Sequence, residues 1–276
     1  MTEPMPGSAL ERARRVLSQR PSAVVCDIDG TLSPIAPTPG EAVLAPGARK
    51  ALEALTRTVD LVAAVSGRSA ADAAVMVGVP DMLFVGNHGL EWIERDGRTI
   101  HPVALETASR LETALAEIAA RAAADDRLRG VIVENKELSG SIHYRLTGDP
   151  EYSFNTILAW AKELALTHDL RVTEGRMVIE LRPPIDVNKG AALRRLIEER
   201  GLMSMVFFGD DVTDMDGFRE LTRLRDTRNF AGLSIAVADP EARPEVVAAA
   251  DAVVPGVTAC VALLSELAET EAEVRR

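Results

Sequence analysis

Apolar and polar positions along this chain alternate in two different ways. At the start, short apolar runs take turns with helical patterns. A run over 22–27 reads as a buried strand and is followed, after a loop from Pro34 to Pro39, by a helix near 46–58. Next come "LVAAVSGR" (61–68), a helix near 69–77 and "MLFVGNHGLEW" (82–92). The same rhythm resumes late: a helix over 189–200, the strand "SMVFFGDD" (204–211), a helix over 214–222, strands at 233–238 and 252–254, and a helix over 257–270. Apolar runs without a polar face, separated by helices, predict an α/β core with a parallel sheet and right-handed crossovers, because such strands are covered on both sides.

The middle of the chain follows another pattern. A helix near 105–122 puts Leu105, Ala108, Leu111, Leu115, Ile118 and Ala122 on one face. Strands at 130–136 and 140–147 follow, then a helix over 151–167 with Phe154, Leu158, Ala161 and Ala165 on one face, then strands at 170–173 and 176–182. This αββαββ block predicts a small antiparallel-type sheet with helices on one side. It is expected as a second domain over 104–186, inserted into a core of 1–103 and 187–276. The lead-back "RPPID" (182–186) reads as a linker, since two prolines cannot sit inside a central strand.

Composition narrows the class. With 276 residues and 47% hydrophobic positions the chain can bury a proper core, and it has no run of 18 apolar residues, so no membrane span is expected. The first twenty residues hold Arg12, Arg14 and Arg15 but no apolar core, so no signal peptide is expected. Cys26 and Cys260 are the only cysteines, which suits a reducing, cytoplasmic setting. A net charge of −11 argues against nucleic-acid or membrane-surface partners, but leaves room for an anionic small molecule at a local basic site.

The candidate chemistry sits at strand ends. Ligands of open parallel sheets bind beyond the carboxyl ends of the strands. Asp27 and Asp29 leave one such end, Ser66 and Arg68 a second, Asp210 and Asp211 a third. Like charges ~4 Å apart cost about 4 kcal/mol at an effective dielectric of 20, so clustered carboxylates ask for a cation. Ligands that are all oxygen point to a hard one such as Mg²⁺. A carboxylate beside a metal can attack phosphorus and form an aspartyl phosphate, and a second carboxylate two residues on can serve as acid and base. Ser66 offers a hydroxyl to a phosphoryl oxygen, and Lys189, at a helix start where the dipole disfavours its charge, can neutralise nucleophile and phosphate together. Cys26 reads as a small buried hydrophobe. Taken alone, His88 and His101 read as loop histidines.

The stretches "DIDGT", "SGR", "NKG" and "GDDVTD", in that order, resemble the four motifs of the haloacid-dehalogenase superfamily of phosphotransferases. The resemblance implies a Rossmann-like parallel-sheet core with an inserted α+β cap of the C2B type. It implies Asp27 as nucleophile and Asp29 as general acid/base. It places Mg²⁺ on Asp27, the backbone carbonyl of Asp29 and Asp210, with Asp211 and Asp214 behind them, and the phosphate on Ser66 and Lys189. A signalling receiver domain would share the strand-end aspartate and the lysine, but would lack Asp29 in this register and the insertion.

For the substrate, the middle block matters. Alternation puts Glu134 and Lys136 on one strand face, Ser141, His143 and Arg145 on another, and Arg176, Val178 and Glu180 on a third, each opposite an apolar face. Carboxylates accept from sugar hydroxyls, and Lys and Arg donate to them. A lid with this face would hold a polyol whose phosphate points at Asp27. With "NHG", "VENK", "HYR" and "EGRMVIELRP" added, the chain from about 22 to 265 is similar to trehalose-6-phosphate phosphatases. That similarity implies hydrolysis of trehalose 6-phosphate to trehalose and phosphate. It implies substrate contacts at Arg68, Asn87, His88, Glu134, Lys136, Arg145, Arg176 and Glu180. The family usually has Lys where Arg176 stands and Glu where Met215 stands. Phosphatases of sucrose phosphate, glucosylglycerol phosphate or mannosyl-phosphoglycerate would share every core residue, so only the middle block discriminates.

Overall fold

The computed structural model describes residues 7–240 and 242–274. Helix α1 (Ala9–Leu17) opens on Ser8, whose side chain and that of Glu11 cap each other's backbone N–H. Then follow β1 (Ser22–Cys26), α2 (Ala48–Leu55), β2 (Leu61–Val65), α3 (Ala70–Val77), β3 (Leu83–Gly86), β4 (Glu91–Glu94) and β5 (Gly97–Ile100). The middle block is α4 (Pro102–Ala123), β6 (Ile132–Asn135), β7 (Gly140–His143), α5 (Pro150–His168), β8 (Arg171–Gly175) and β9 (Val178–Arg182). The chain closes with α6 (Lys189–Arg200), β10 (Ser204–Gly209), α7 (Met215–Thr227), β11 (Ala231–Val237), α8 (Pro244–Ala249), β12 (Ala252–Val254) and α9 (Gly256–Val274). Two compact units result: Met1–Arg98 with Val187–Arg276, and Thr99–Asp186.

The larger unit holds a sheet in the order β12-β11-β10-β1-β2-β3-β4-β5, parallel from β12 through β3 and antiparallel from β3 to β4. Every residue of β1 is buried, and its side chains divide by the two-residue period. Val24 and Cys26 enter a cluster with Leu17 of α1, Leu52 of α2, Ala73 of α3 and Leu264 of α9. Ala23 and Val25 enter another with Leu193 and Leu196 of α6 and Phe218 and Leu221 of α7. Covering on both faces is why the run has no polar alternation. Met215 packs into the second of these clusters. On the same side Glu220 of α7 takes the guanidinium groups of Arg194 and Arg223 at 2.7 and 2.6 Å, tying α6 to α7; these charge-assisted bonds outweigh its partial burial and hold its carboxyl down at about 2.

The smaller unit carries an antiparallel sheet in the order β6-β7-β9-β8. Helices α4 and α5 bury Leu111, Leu115, Ile118, Ile157, Ala161 and Leu164 against Ile142, Ile179 and Leu181 of the sheet. Three expectations need correction here. Leu105 is exposed, and Ala104 and Thr107 take the inner positions at the start of α4. The strand expected over 176–182 begins at Val178; Arg176 and Met177 form the two-residue turn between β8 and β9, with Met177 at φ 61°. The strand expected over 140–147 ends at His143, so Arg145 lies beyond it and Leu146 is exposed.

In the larger unit, the apolar stretch 82–92 is a hairpin rather than one strand. Asn87 and His88 take φ of 49° and 58° and Gly89 one of 121°, reversing the chain between β3 and β4. The periodicity overlooked α1, β5 and α8. The serine three residues before a glutamate at the start of α1 was a readable signal.

Candidate active site

Strand order places the site. From β1 the chain moves outward through β2 and β3 on one side, and later through β10, β11 and β12 on the other. The switch point lies between β1 and β10, where open α/β sheets leave a crevice at the strand ends. Asp27 follows β1 and Asp210 follows β10 there, and the Asp27 N–H continues the ladder to the Phe208 carbonyl at 2.8 Å.

Lys189, the first residue of α6, reaches into this crevice. Its Nζ donates to Asp27 Oδ1 and to Asp214 Oδ1, each at 2.7 Å, and the side chain is only 2% exposed. Asp214 is wholly buried and also accepts, through Oδ2, the backbone N–H groups of Asp210 and Asp211 at 3.0 Å. It therefore braces both the lysine and the Asp210–Asp211 turn. Asp211 stands at the N-terminal cap of the short helical turn Val212–Asp214. Thr31 Oγ1 donates to Asp210 Oδ1 at 3.1 Å, which adds Thr31 to the groups around this crevice. A side chain at Gly30 would meet the Asp210 carboxylate at 1.9 Å, so this position of the "DIDGT" turn must stay bare.

The electrostatics are unbalanced. Asp27, Asp210 and Asp214 can place one oxygen each within 4.8 Å of one another, with Lys189 as the ammonium held by two of them. Burial pushes the Asp27 carboxyl up to about 7, against the pull of Lys189 and helped by Asp214 and Asp29. Burial, and then the neighbouring Asp27 and Asp214, hold Asp210 well above the usual carboxylate range. Burial works against the charge on Lys189, yet Asp214 and Asp27 outweigh it and keep its ammonium above the ordinary value. Three carboxylates against one ammonium leave room for two more positive charges. An all-oxygen donor set with that charge fits a hard divalent ion.

Asp29 turns another way. Arg68 grips its carboxylate with Nε at 2.6 Å and Nη2 at 2.7 Å, and the same Nη2 donates to the Pro39 carbonyl at 3.2 Å. Ser66, 1% exposed, sits at the end of β2, and its Oγ accepts from the Arg68 N–H at 3.2 Å. Asn87 and His88 follow β3 and are both buried. The first binds Arg68 O and the second Ser66 O through backbone N–H groups at 2.7 and 2.9 Å. His101 is the N-cap of α4, where its side chain accepts the Val103 N–H.

In the smaller unit the sheet's register aligns Glu134, Ser141, Glu180 and Thr173 in one row across four strands. Glu180 Oε1 accepts from Ser141 Oγ at 3.0 Å and lies 3.4 Å from Lys136 Nζ, while its Oε2 is 3.5 Å from Thr173 Oγ1. His143 Nε2 lies 3.0 Å from Glu134 Oε2. Lys136 belongs to the hairpin after β6 rather than to the strand, and still reaches this row. Arg145 Nη2 donates to the Arg176 carbonyl at 3.1 Å, so those two arginines meet at the other end of β7 and β9. Ser141, His143 and Thr173 were not among the candidate contacts. The two-residue alternation had already put Ser141 and His143 on the polar face.

A parallel sheet wound both ways from β1, with an aspartate leaving β1 beside one leaving β10, defines the class: this is the haloacid-dehalogenase-like hydrolase fold. Within it, the model described as trehalose-phosphatase matches residues 25–242, and the chain belongs to that family. An uncharacterized glycosyl hydrolase of Mycobacterium tuberculosis is 39% identical over 234 residues, 81% of this chain and 16% of that protein. A trehalose-phosphate phosphatase of Mycobacterium avium is 38% identical over 216 residues, 73% of this chain and 52% of that protein. This chain thus spans about half the length of the second relative and far less of the first. The crystal structure of a trehalose-6-phosphate phosphatase related protein shares the fold at a TM-score of 0.76 and 21% identity, covering 91% of this chain and 99% of that one.

Proposed function

We propose that this chain hydrolyses trehalose 6-phosphate to trehalose and phosphate through an aspartyl-phosphate intermediate, and so serves trehalose biosynthesis. The observation that carries the chemistry is the Lys189 ammonium bridging Asp27 and Asp214 at the switch point, with Asp29 two residues along. Family membership and a relative named trehalose-phosphate phosphatase support the substrate. The two free, buried cysteines accord with a cytoplasmic setting.

In this reading Asp27 attacks phosphorus in line while Asp29 gives its proton to the departing sugar oxygen. Asp29 then takes a proton from water as that water attacks the aspartyl phosphate, which restores the Asp27 carboxylate and releases phosphate. Lys189 offsets the charge gathered at the nucleophile, and Ser66 Oγ binds a phosphoryl oxygen. Asp29 can donate only once Arg68 loosens its two-pronged hold, so Arg68 sets the orientation of the acid as well as serving the phosphate. Asp27, Asp210 and the backbone carbonyl of Asp29 would hold Mg²⁺, which when bound supplies positive charge to phosphoryl oxygens.

The direct test measures phosphate release from a panel of sugar phosphates, before and after chelation. Trehalose 6-phosphate should be the preferred substrate, EDTA should stop the reaction and Mg²⁺ should restore it. Faster release from sucrose 6-phosphate or glucosylglycerol phosphate would reassign the substrate. Full activity in EDTA would remove the metal from the mechanism.

The domain over 104–186 is proposed to read the sugar. Glu180→Ala should lower kcat/KM for trehalose 6-phosphate by about ten- to a hundredfold, the value of a lost charged hydrogen bond. It should leave p-nitrophenyl phosphate, which has no hydroxyls to lose, nearly unchanged. A constant ratio of the two substrates between wild type and variant would show that this face does not recognise the sugar.

A further inference from the structure

We propose that Glu91 is a positioning residue for phosphate binding: its buried carboxylate fixes the Asn87–Gly89 turn and, through it, the loop that presents Ser66 and Arg68. The inference rests on the phosphatase reading above and assigns a residue that the motifs do not contain.

Glu91 opens β4 and is entirely buried. Its carboxylate gathers donors from three separate segments. Oε1 accepts the Ala70 backbone N–H at 2.8 Å and the Asn87 side-chain amide at 2.7 Å. Oε2 accepts Arg98 Nε at 2.8 Å and lies 2.7 Å from Arg98 Nη2. A carboxylate is tolerated without water only when it is paired and densely hydrogen-bonded, and this one is. Ala70 is the first residue of α3, immediately beyond the 66–69 loop, so one oxygen grips both the far end of that loop and the turn beside it.

What the carboxylate steadies is strained. Asn87 and His88, at φ of 49° and 58°, occupy the left-handed region, which few residues other than glycine enter, asparagine and histidine more readily than most. Such positions persist where the surroundings over-determine them. The turn in turn holds the loop: its backbone N–H groups take the carbonyls of Arg68 and Ser66 at 2.7 and 2.9 Å. The fit is close, because a Cβ at Gly67 would come within 2.7 Å of His88 Nε2, and one at Gly86 within 2.1 Å of the Ala70 nitrogen. A shift of the turn therefore moves the Ser66 hydroxyl and the Arg68 fork that grips Asp29.

Glutamine has the right size for this place but the wrong pattern. Whichever way its amide faces, its NH₂ meets either the Ala70 and Asn87 donors or the Arg98 guanidinium. Two variants test the proposal: Glu91→Gln, which removes a buried charge, and Arg98→Lys at a partly exposed position, which keeps the test open if the first variant does not fold. Both would be assayed with Mg²⁺ for kcat and KM on trehalose 6-phosphate and p-nitrophenyl phosphate, for affinity toward inorganic orthophosphate by calorimetry, and for Tm. Glu91→Gln should lower kcat/KM on both esters alike, by about ten- to a hundredfold, and weaken orthophosphate binding. Arg98→Lys should do the same more mildly. This is the reverse of the pattern set out for Glu180, where only the sugar phosphate suffers. A folded variant with unchanged orthophosphate affinity and unchanged kcat/KM on an active wild-type background overturns the role of Glu91 and leaves the phosphatase reading standing. A loss confined to trehalose 6-phosphate overturns it too, by making the turn a sugar contact. A wild type that neither hydrolyses either ester nor binds orthophosphate overturns the phosphatase reading and this inference with it.

Discussion

Asp27→Asn will give a folded protein with no measurable turnover. The carboxamide is nearly isosteric and its oxygen can still accept from Lys189, but it is a poor nucleophile toward phosphorus. Loss of a group that forms the covalent intermediate costs on the order of 10⁴-fold or more in kcat. Stability should not suffer. Burial has already raised this carboxyl to about 7, which means the folded state strains to keep it ionised. Removing one of three crowded carboxylates while leaving Lys189 paired with Asp214 should keep Tm at or above the wild-type value. The measurement is phosphate release beside a thermal melt. Turnover within a hundredfold of wild type would exclude attack by Asp27, and a collapsed melt would show that the carboxylate is structural.

Lys189→Met should abolish activity and also weaken the fold, and the two losses should separate. Lys189 is the cation that Asp27 and Asp214 share, in a place nearly closed to water. Breaking a buried pair by removing one member costs roughly 3–5 kcal/mol, because the other member stays behind uncompensated. Here two carboxylates are left. Measured in chelator, the variant should lose about that much stability. Adding Asp214→Asn takes away one orphaned charge while an amide oxygen can still accept the Asp210 and Asp211 N–H groups. The double variant should therefore regain much of the stability and none of the activity. Equal stability of single variant and wild type would mean that water or rearrangement already screens these carboxylates.

The reach of the sequence can be judged from particular elements. Helix α6 was expected over 189–200 and spans Lys189–Arg200, because Asn188 offers a cap and Gly201 a left-handed stop, both local signals. The αββαββ block was readable for the same reason: a period near 3.6 or near 2 is set by neighbouring residues. The hairpin inside 82–92 was not. Apolar residues stand on both sides of the turn, Leu83 to Val85 before it and Leu90 and Trp92 after it, and the reversal depends on Asn87 and His88 adopting a conformation that contacts from Arg68, Ser66 and Glu91 impose. Arg176 was misplaced for a similar reason, since "EGRMVIEL" alternates well enough to hide a two-residue turn held by β8 and β9.

In the candidate site, the motifs pointed to the residues proposed to carry chemistry, because a strand end followed by two aspartates is a local pattern. They did not tell which groups meet. Arg68 was expected on substrate and in this structure holds Asp29. Glu91 carries no signal in the sequence and is a buried hub of donors.

The linear order of residues was thus sufficient for the type of most long elements, for most of the face that each presents, and for the placing of carboxylates at strand ends. These follow from backbone geometry repeated over a few residues. The pairing of Lys189 with Asp27 spans 162 positions and depends on β10, rather than a third strand on the other side, lying against β1. That choice belongs to the packing of helices on both faces of the sheet. No stretch of sequence short enough to be read as a motif contains it.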